Sequence, residues 1–201
     1  MTNLPILPVK QGYIESRAFS VYLNNDNGSG GQVLFGGVDT EKYLGDLVSP
    51  PLVPESGSTI TNQFFVTLNG IQYTDLDGNV IAFPETVDQY PVPALLDTGT
   101  SNMVLPQIIT SSIYAALNPD LSSPPDAYVD CSLAFTSATI DYMFDGITIN
   151  VRLSQLITPN GPGRPFTECP LNFQTVSAGE PVVLGDSFLS SAYVVFDLDN
   201  G

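Results

Sequence analysis

Short runs that alternate apolar and polar residues, separated by clusters of turn formers, set the rhythm of this chain and predict β-structure. "AFSVYL" (18–23) alternates and is followed by "NNDNGSGG" and then "QVLFGG" (32–37), a hairpin with a polar tip. In "QFFVTLNGIQYT" (63–74), Asn69-Gly70 separates two alternating runs and predicts a tight type I′ turn. "DLDGNVIAF" (75–83) sets Asp77-Gly78 ahead of a further strand, and "LAFTSATIDYMFDGITINVRL" (133–153) supplies two or three more. Helical signal is confined to two places. "PQIITSSIYAAL" (106–117) opens on Pro106 and repeats Ile109, Ile113 and Leu117 on one face, and "GDSFLSS" (185–191) fits one short helix. Many short strands with little helix predict an all-β fold of sandwich or barrel type. No tandem repeat, linker or low-complexity tract divides the 201 residues, so they read as one domain, large enough to bury its own core.

Charge narrows the partners. With 21 acidic and 5 basic residues the formal net charge is -16, which argues against nucleic acid or an anionic membrane surface as partner. Protonating some of these carboxylates would relieve self-repulsion, which suits an acidic working environment. A high net charge serves equally well as a plain solubility device, and charge alone does not separate the two readings. No run of 18 or more apolar residues is present, and the opening "MTNLPILPVKQGYIES" lacks the regions of a signal peptide.

The chain contains no histidine. That excludes Ser-His-Asp and Cys-His catalysis, HExxH sites and most zinc chemistry within it. Two cysteines, Cys131 and Cys169, are too few for a cysteine metal cluster, and no metal or other cofactor is expected. An even pair in such a chain reads as one disulfide, hence an oxidising compartment. Asn27-Gly28-Ser29 is a glycosylation sequon that leans the same way. "DLDGN" (75–79) superficially suggests a calcium loop, but its glycine is misplaced and no glutamate stands at the twelfth position, so it reads as a hairpin turn.

Candidate chemistry centres on "ALLDTGTSNMVLP" (94–106). An aspartate acting as a general base on water must be ionised, held by hydrogen bonds and reachable by a substrate. Here Leu95 and Leu96 would anchor the preceding strand, Gly99 offers an unobstructed N–H, and Thr98 and Thr100 offer hydroxyls to fix the carboxylate of Asp97. By itself the tetrapeptide also fits an ordinary strand-to-turn corner.

A second segment, "EPVVLGDSFLSSAYVVFDLDN" (180–200), brings an apolar run ending in Gly185, an acidic residue, a short helix and a strongly apolar strand. Together the two segments resemble the paired loop halves of one lobe of a pepsin-like aspartic protease. "GYIESRAFSVYLNN" is similar to the stretch that enters that family's second lobe, and "GGQVLFGGVDTEKYLGDLVSPPLV" to its glycine-rich strand pair. The Cys131–Cys169 spacing also falls where the second lobe carries its disulfide. The resemblance covers roughly residues 5–201, and the wording is most like that of fungal, yapsin-like secreted enzymes.

The resemblance implies a bilobal enzyme in which each lobe brings one Asp-Thr/Ser-Gly to a shared water. On that footing Asp97 is the second-lobe catalytic aspartate. Thr98 makes an interlobe grip beneath the carboxylate pair, and Thr100 bonds an outer carboxylate oxygen. Gly99, Thr100 and Ser101 line the cleft against substrate backbone, with Leu95, Val182, Val183 and Gln63 near its pockets. Asp186 is expected behind the carboxylate pair, tuning its pKa, or simply as a helix N-cap. The expected partners are a peptide or protein substrate and an N-terminal lobe, with no nucleic acid and no metal. The expected location is extracellular, with a GPI-anchored cell surface or a vacuole as alternatives.

This chain holds only one such motif, and it ends at "FDLDNG", where the family runs one more strand. Both ends therefore read as cuts in a C-terminal lobe spanning 1–201, and negligible peptidase activity is expected of the isolated chain. Two other readings stand beside this one: a homodimer that pairs two copies of Asp97, and a catalytically inert pepsin-fold module that binds or inhibits.

Overall fold

The computed structural model describes residues 6–23, 30–59, 63–122, 127–158, 167–177, 179–197 and 199. The sequon at Asn27 lies outside these residues. The architecture is all-β with a few short helices, as expected.

Helix α1 (Ile6–Lys10) leads into β1 (Ala18–Leu23) and β2 (Gly31–Phe35), which form an antiparallel pair. An irregular stretch then reaches β3 (Phe65–Thr74), which is followed by β4 (Val80–Ala82), a 3-10 helix (Pro84–Gln89) and β5 (Val92–Leu96). After the Asp97 turn come β6 (Met103–Pro106), α2 (Gln107–Leu117), β7 (Ala127–Asp130) and a second 3-10 helix (Cys131–Phe135). The meander β8 (Thr139–Phe144) and β9 (Ile147–Arg152) ends in α3 (Leu153–Leu156). The chain continues through β10 (Glu168–Leu171), β11 (Phe173–Val176), β12 (Val182–Leu184), α4 (Asp186–Leu189) and β13 (Val194–Asp197).

The main sheet has the order β11-β6-β12-β5-β3-β8-β9, with β4 beside the far half of β3. A three-stranded sheet β13-β1-β2 and a two-stranded pair β10-β7 complete the fold. One face of the main sheet is covered by α2, whose Ile109, Ile113 and Leu117 are buried at the spacing the helical period requires. They join Val66, Leu68, Ala94, Met103, Leu105, Val182 and Leu184 in a continuous core. Within the same core, a disulfide joins Cys131 to Cys169 and clamps the second 3-10 helix onto β10.

Asn69-Gly70 does not turn the chain. β3 runs straight through it, and the register against β8 slips between Leu68 and Gly70, which makes the site a β-bulge. The inward set changes there from Val66 and Leu68 to Ile71 and Tyr73, so one extra residue keeps apolar side chains in the core on both sides. A Cβ at residue 70 would overlap Cε of Met143, so a larger residue there would need the end of that side chain to shift. Asp77-Gly78, by contrast, is the turn expected. Gly78 sits at φ +81°, and the Asp75 carboxylate accepts from the amides of Asp77 and Asn79 at 2.9 and 2.8 Å.

Candidate active site

Asp97 stands on the loop between β5 and β6, two strands that are neighbours in sequence but not in the sheet. β12, from the far end of the chain, lies between them, parallel to β5 (Val182 opposite Ala94) and antiparallel to β6 (Val183 opposite Val104). This insertion closes the Asp97 turn from behind. The Asp97 amide donates to Leu184 O at 3.1 Å, and the amides of Asp186 and Ser187 donate to Thr100 O and Ser101 O at 2.8 and 3.1 Å.

Gly185 makes that closure possible. Its backbone is extended, at φ -86° and ψ -159°, so no conformational freedom is being used. What matters is the missing side chain. A Cβ there would lie 2.8 Å from the carbonyl carbon of Thr100 and collide with the carbonyl oxygens of Thr100 and Asn102.

Within the turn the Asp97 carboxylate is held at both oxygens. The Gly99 amide donates to Oδ1 at 2.9 Å and the Thr100 hydroxyl to Oδ2 at 2.7 Å. Donors at both oxygens fix the direction of the carboxylate. Asp97 is half-buried while Thr98, Gly99 and Ser101 are exposed, so a substrate can reach the group. The Thr100 bond is the one expected from sequence; Thr98 is exposed.

Asp186 lies close enough to feel this charge. Its carboxyl is pushed above the ordinary aspartate range, first by burial and then by repulsion from Asp97. The alternative of a helix N-cap is corrected: Gly185 occupies the cap and Asp186 is the first residue of α4. A carboxylate in the first turn still suits the helix dipole.

The remaining expected residues divide by face. Phe65, Leu95, Val183 and Val104 form one row across β3, β5, β12 and β6, and all but Phe65 are half-buried. Leu95 and Val183 therefore sit side by side on the face away from α2. Val182 points the other way and is wholly buried in the core, so its expected contact with substrate is withdrawn. The anchor of β5 is also not quite as expected, since Ala94 is fully buried and Leu95 and Leu96 only partly. Gln63 is exposed and, by extension of the β3–β5 register, level with Asp97. Sequence reasoning missed Ser187, which is 7% exposed and whose hydroxyl donates to Ser101 O at 2.8 Å. No local motif marks it, because its partner lies 86 residues away. Among the described residues no group of three or more His, Cys, Asp or Glu side chains converges as a metal site.

An all-β lobe with a far strand threaded through its Asp-Thr-Gly turn defines the pepsin class of aspartic proteases. The family description "Eukaryotic aspartyl protease" matches residues 3–201, and the chain belongs to that family. It is 39% identical to Aspartic proteinase 3 of Saccharomyces cerevisiae, over 98% of this chain and 34% of that protein. It is 37% identical to the Probable aspartic-type endopeptidase opsB of Aspergillus oryzae, over 98% of this chain and 40% of the relative. Secreted aspartic protease 1 of Candida albicans is 33% identical, over 98% of this chain and 47% of the relative. The chain thus spans less than half the length of these curated relatives.

Proposed function

We propose that this chain is the C-terminal lobe of an acid-operating aspartic endopeptidase and supplies one of its two catalytic carboxylates. The observation that carries the reading is the Asp97 carboxylate, bonded at both oxygens by Gly99 and Thr100 on an accessible turn. In peptide hydrolysis of this kind one carboxylate takes a proton from water as its oxygen adds to the scissile carbonyl. A second carboxyl gives a proton to the carbonyl oxygen. Aspartic proteases are the standard example of two close carboxyl groups that share one proton, and such a pair needs two aspartates.

Asp97 is the half offered here, and the partner carboxylate comes from an N-terminal lobe. Thr98, exposed at the base of the turn, is the contact toward that lobe. Gly99, Thr100 and Ser101 meet substrate backbone, and Leu95, Val183 and Gln63 border its side-chain pockets. Asp186, with its raised pKa, biases the site toward acid. An apolar groove of about 430 Å³ between β13, β3 and β5, walled by Phe64, Leu96, Ile147 and Phe196, supports the reading that further chain packs against this lobe. Export to the extracellular space is part of this reading, supported by the disulfide and by the printed name of the Candida albicans relative.

The test combines the purified chain with an upstream lobe carrying Asp-Thr-Gly or Asp-Ser-Gly. Pepstatin-sensitive peptide cleavage at acid pH should appear only when both are present, and Asp97→Ala should abolish it. Pepstatin-sensitive cleavage by the isolated chain as a monomer would refute the two-lobe requirement. The same activity in a dimer would favour the homodimeric alternative.

A further inference from the structure

The first turn of a helix carries amide donors with no partner inside the helix, and something outside must accept from them. In α4 the first two of those donors go to the Asp97 turn, while the Phe188 amide bonds Gly185 O. The Asp186 amide bonds Thr100 O and the Ser187 amide bonds Ser101 O, two consecutive carbonyls of the same turn. Ser187 then adds its hydroxyl to the carbonyl that its own amide already bonds, at 2.8 Å. Ser101 O is thereby held by two donors from one residue. With Thr100 the turn is held from both sides: its carbonyl is fixed by α4 while its hydroxyl holds Asp97 Oδ2.

We infer that Ser187 is a positioning residue: its hydroxyl, through Ser101 O, fixes the peptide planes that aim Thr100 and Gly99 at the Asp97 carboxylate. The side chain is buried and stays beneath the turn, so it acts through the turn rather than on substrate. α4 is itself well seated. Phe188 and Leu189 are in the core, Phe188 meets the ring of Tyr142 edge-on at 5.3 Å, and the Ser190 hydroxyl lies 3.1 Å from Gln155 Oε1 on α3. A rigid helix end is what a positioning contact needs. Without the hydroxyl the Ser101 carbonyl keeps one donor, and the turn can tilt about the two amide bonds that remain.

The inference rests on the proposed role of Asp97 only for its catalytic meaning. Its test reads the turn itself, in the whole 201-residue chain, and so stands or falls apart from any protease assay. Amide hydrogen exchange is followed residue by residue for the parent, Ser187→Ala and Ser187→Thr, in mildly acidic buffer where exchange is slow. The alanine variant is expected to speed exchange at Gly99, Asp186 and Ser187 by roughly three- to tenfold, the factor one neutral hydrogen bond represents. Leu68 and Tyr142, in the centre of the sheet, should keep parental rates, and the threonine variant should behave as the parent. Parental exchange at Gly99 in Ser187→Ala overturns the inference. So does an equal rise at Leu68 and Tyr142, which would mark a merely structural loss, and so does a threonine variant that exchanges like alanine.

Discussion

Replacing Gly185 by alanine tests whether close backbone approach, rather than glycine flexibility, closes the Asp97 turn. Its φ and ψ suit any L-residue, so alanine brings no backbone strain and should gain about 0.5–1 kcal/mol by restricting the unfolded chain. Against that gain, the new Cβ meets backbone rather than the mobile end of a side chain. It would lie 2.8 Å from the carbonyl carbon of Thr100 and overlap two carbonyl oxygens, so β12 and the turn must move apart. Overpacking of this kind costs roughly 1–3 kcal/mol. Separation also lengthens the Asp186–Thr100 and Ser187–Ser101 hydrogen bonds, at about 1 kcal/mol each if lost. The net expectation is a destabilisation of roughly 2–3 kcal/mol, or a fall in Tm of about 4–12 °C for a chain of this size. Calorimetry reads the fall, and amide chemical shifts should move at residues 97–102 and 185–187. Gly37→Ala is the control, because a Cβ there meets nothing within 4 Å and the residue is not in the left-handed region. If Gly185→Ala melts within a degree of the parent with unchanged shifts at 97–102, the close-approach reasoning is wrong.

Three further outcomes follow from the same geometry. Asp186 has a raised folded-state pKa, so the folded chain keeps a proton that the unfolded chain releases, and stability is lost as pH rises through that folded pKa. Asp186→Asn should therefore gain in Tm relative to the parent between pH 3 and pH 7, and a pH-independent difference would count against the assignment. Thr100→Val deletes the hydroxyl on Asp97 Oδ2, a charge-assisted bond worth about 1.5–3 kcal/mol, so kcat of the proposed two-lobe enzyme should fall roughly 10- to 100-fold. An unchanged kcat in steady-state assays would remove Thr100 from the machinery. The disulfide closes a span of 38 residues, for which chain entropy suggests up to about 4 kcal/mol, so Cys131→Ala/Cys169→Ala should lower the denaturant midpoint markedly. An equal midpoint would show that the loop is ordered without the bond.

Most of the fold was legible because alternation survives in strands with one face in a core. "AFSVYL" became β1, "QVLF" most of β2, and "QIITSSIYAAL" became α2 with its three apolar residues buried as spaced. The failure at Asn69-Gly70 has a definite cause. Two alternating runs offset by one residue look the same whether the chain reverses between them or bulges, and local propensity favours the turn. The tertiary pairing of β3 with β5 at one end and β8 at the other decided it, and no short-range signal carries that pairing. "LAF" (133–135) likewise reads as strand but lies in a 3-10 helix, where the disulfide fixes the chain.

At the site, the residues legible in advance are those whose partners lie within three positions. Thr100 reaches Asp97 across three residues, and Gly99 across two, so the motif itself contains both contacts. Everything that closes the turn from behind is non-local: Leu184 for the Asp97 amide, Gly185 for clearance, Asp186 and Ser187 for the carbonyls. Sequence could show that an apolar run ending in glycine occurs some 85 residues later. It could not show which side chains of that run face the turn. Parity within β12 settles this: Val183, between two buried neighbours, is the one that shares a face with Leu95, and Val182 belongs to the core. A carboxylate that must be both exposed and rigid needs this division, with short-range donors aiming it and a distant strand and helix holding the donors still. Those two sets of contacts should therefore fail differently. Loss of Thr100 should weaken chemistry directly, by freeing the Asp97 carboxylate, whereas alanine at Gly185 should act on chemistry only through the displaced strand and turn.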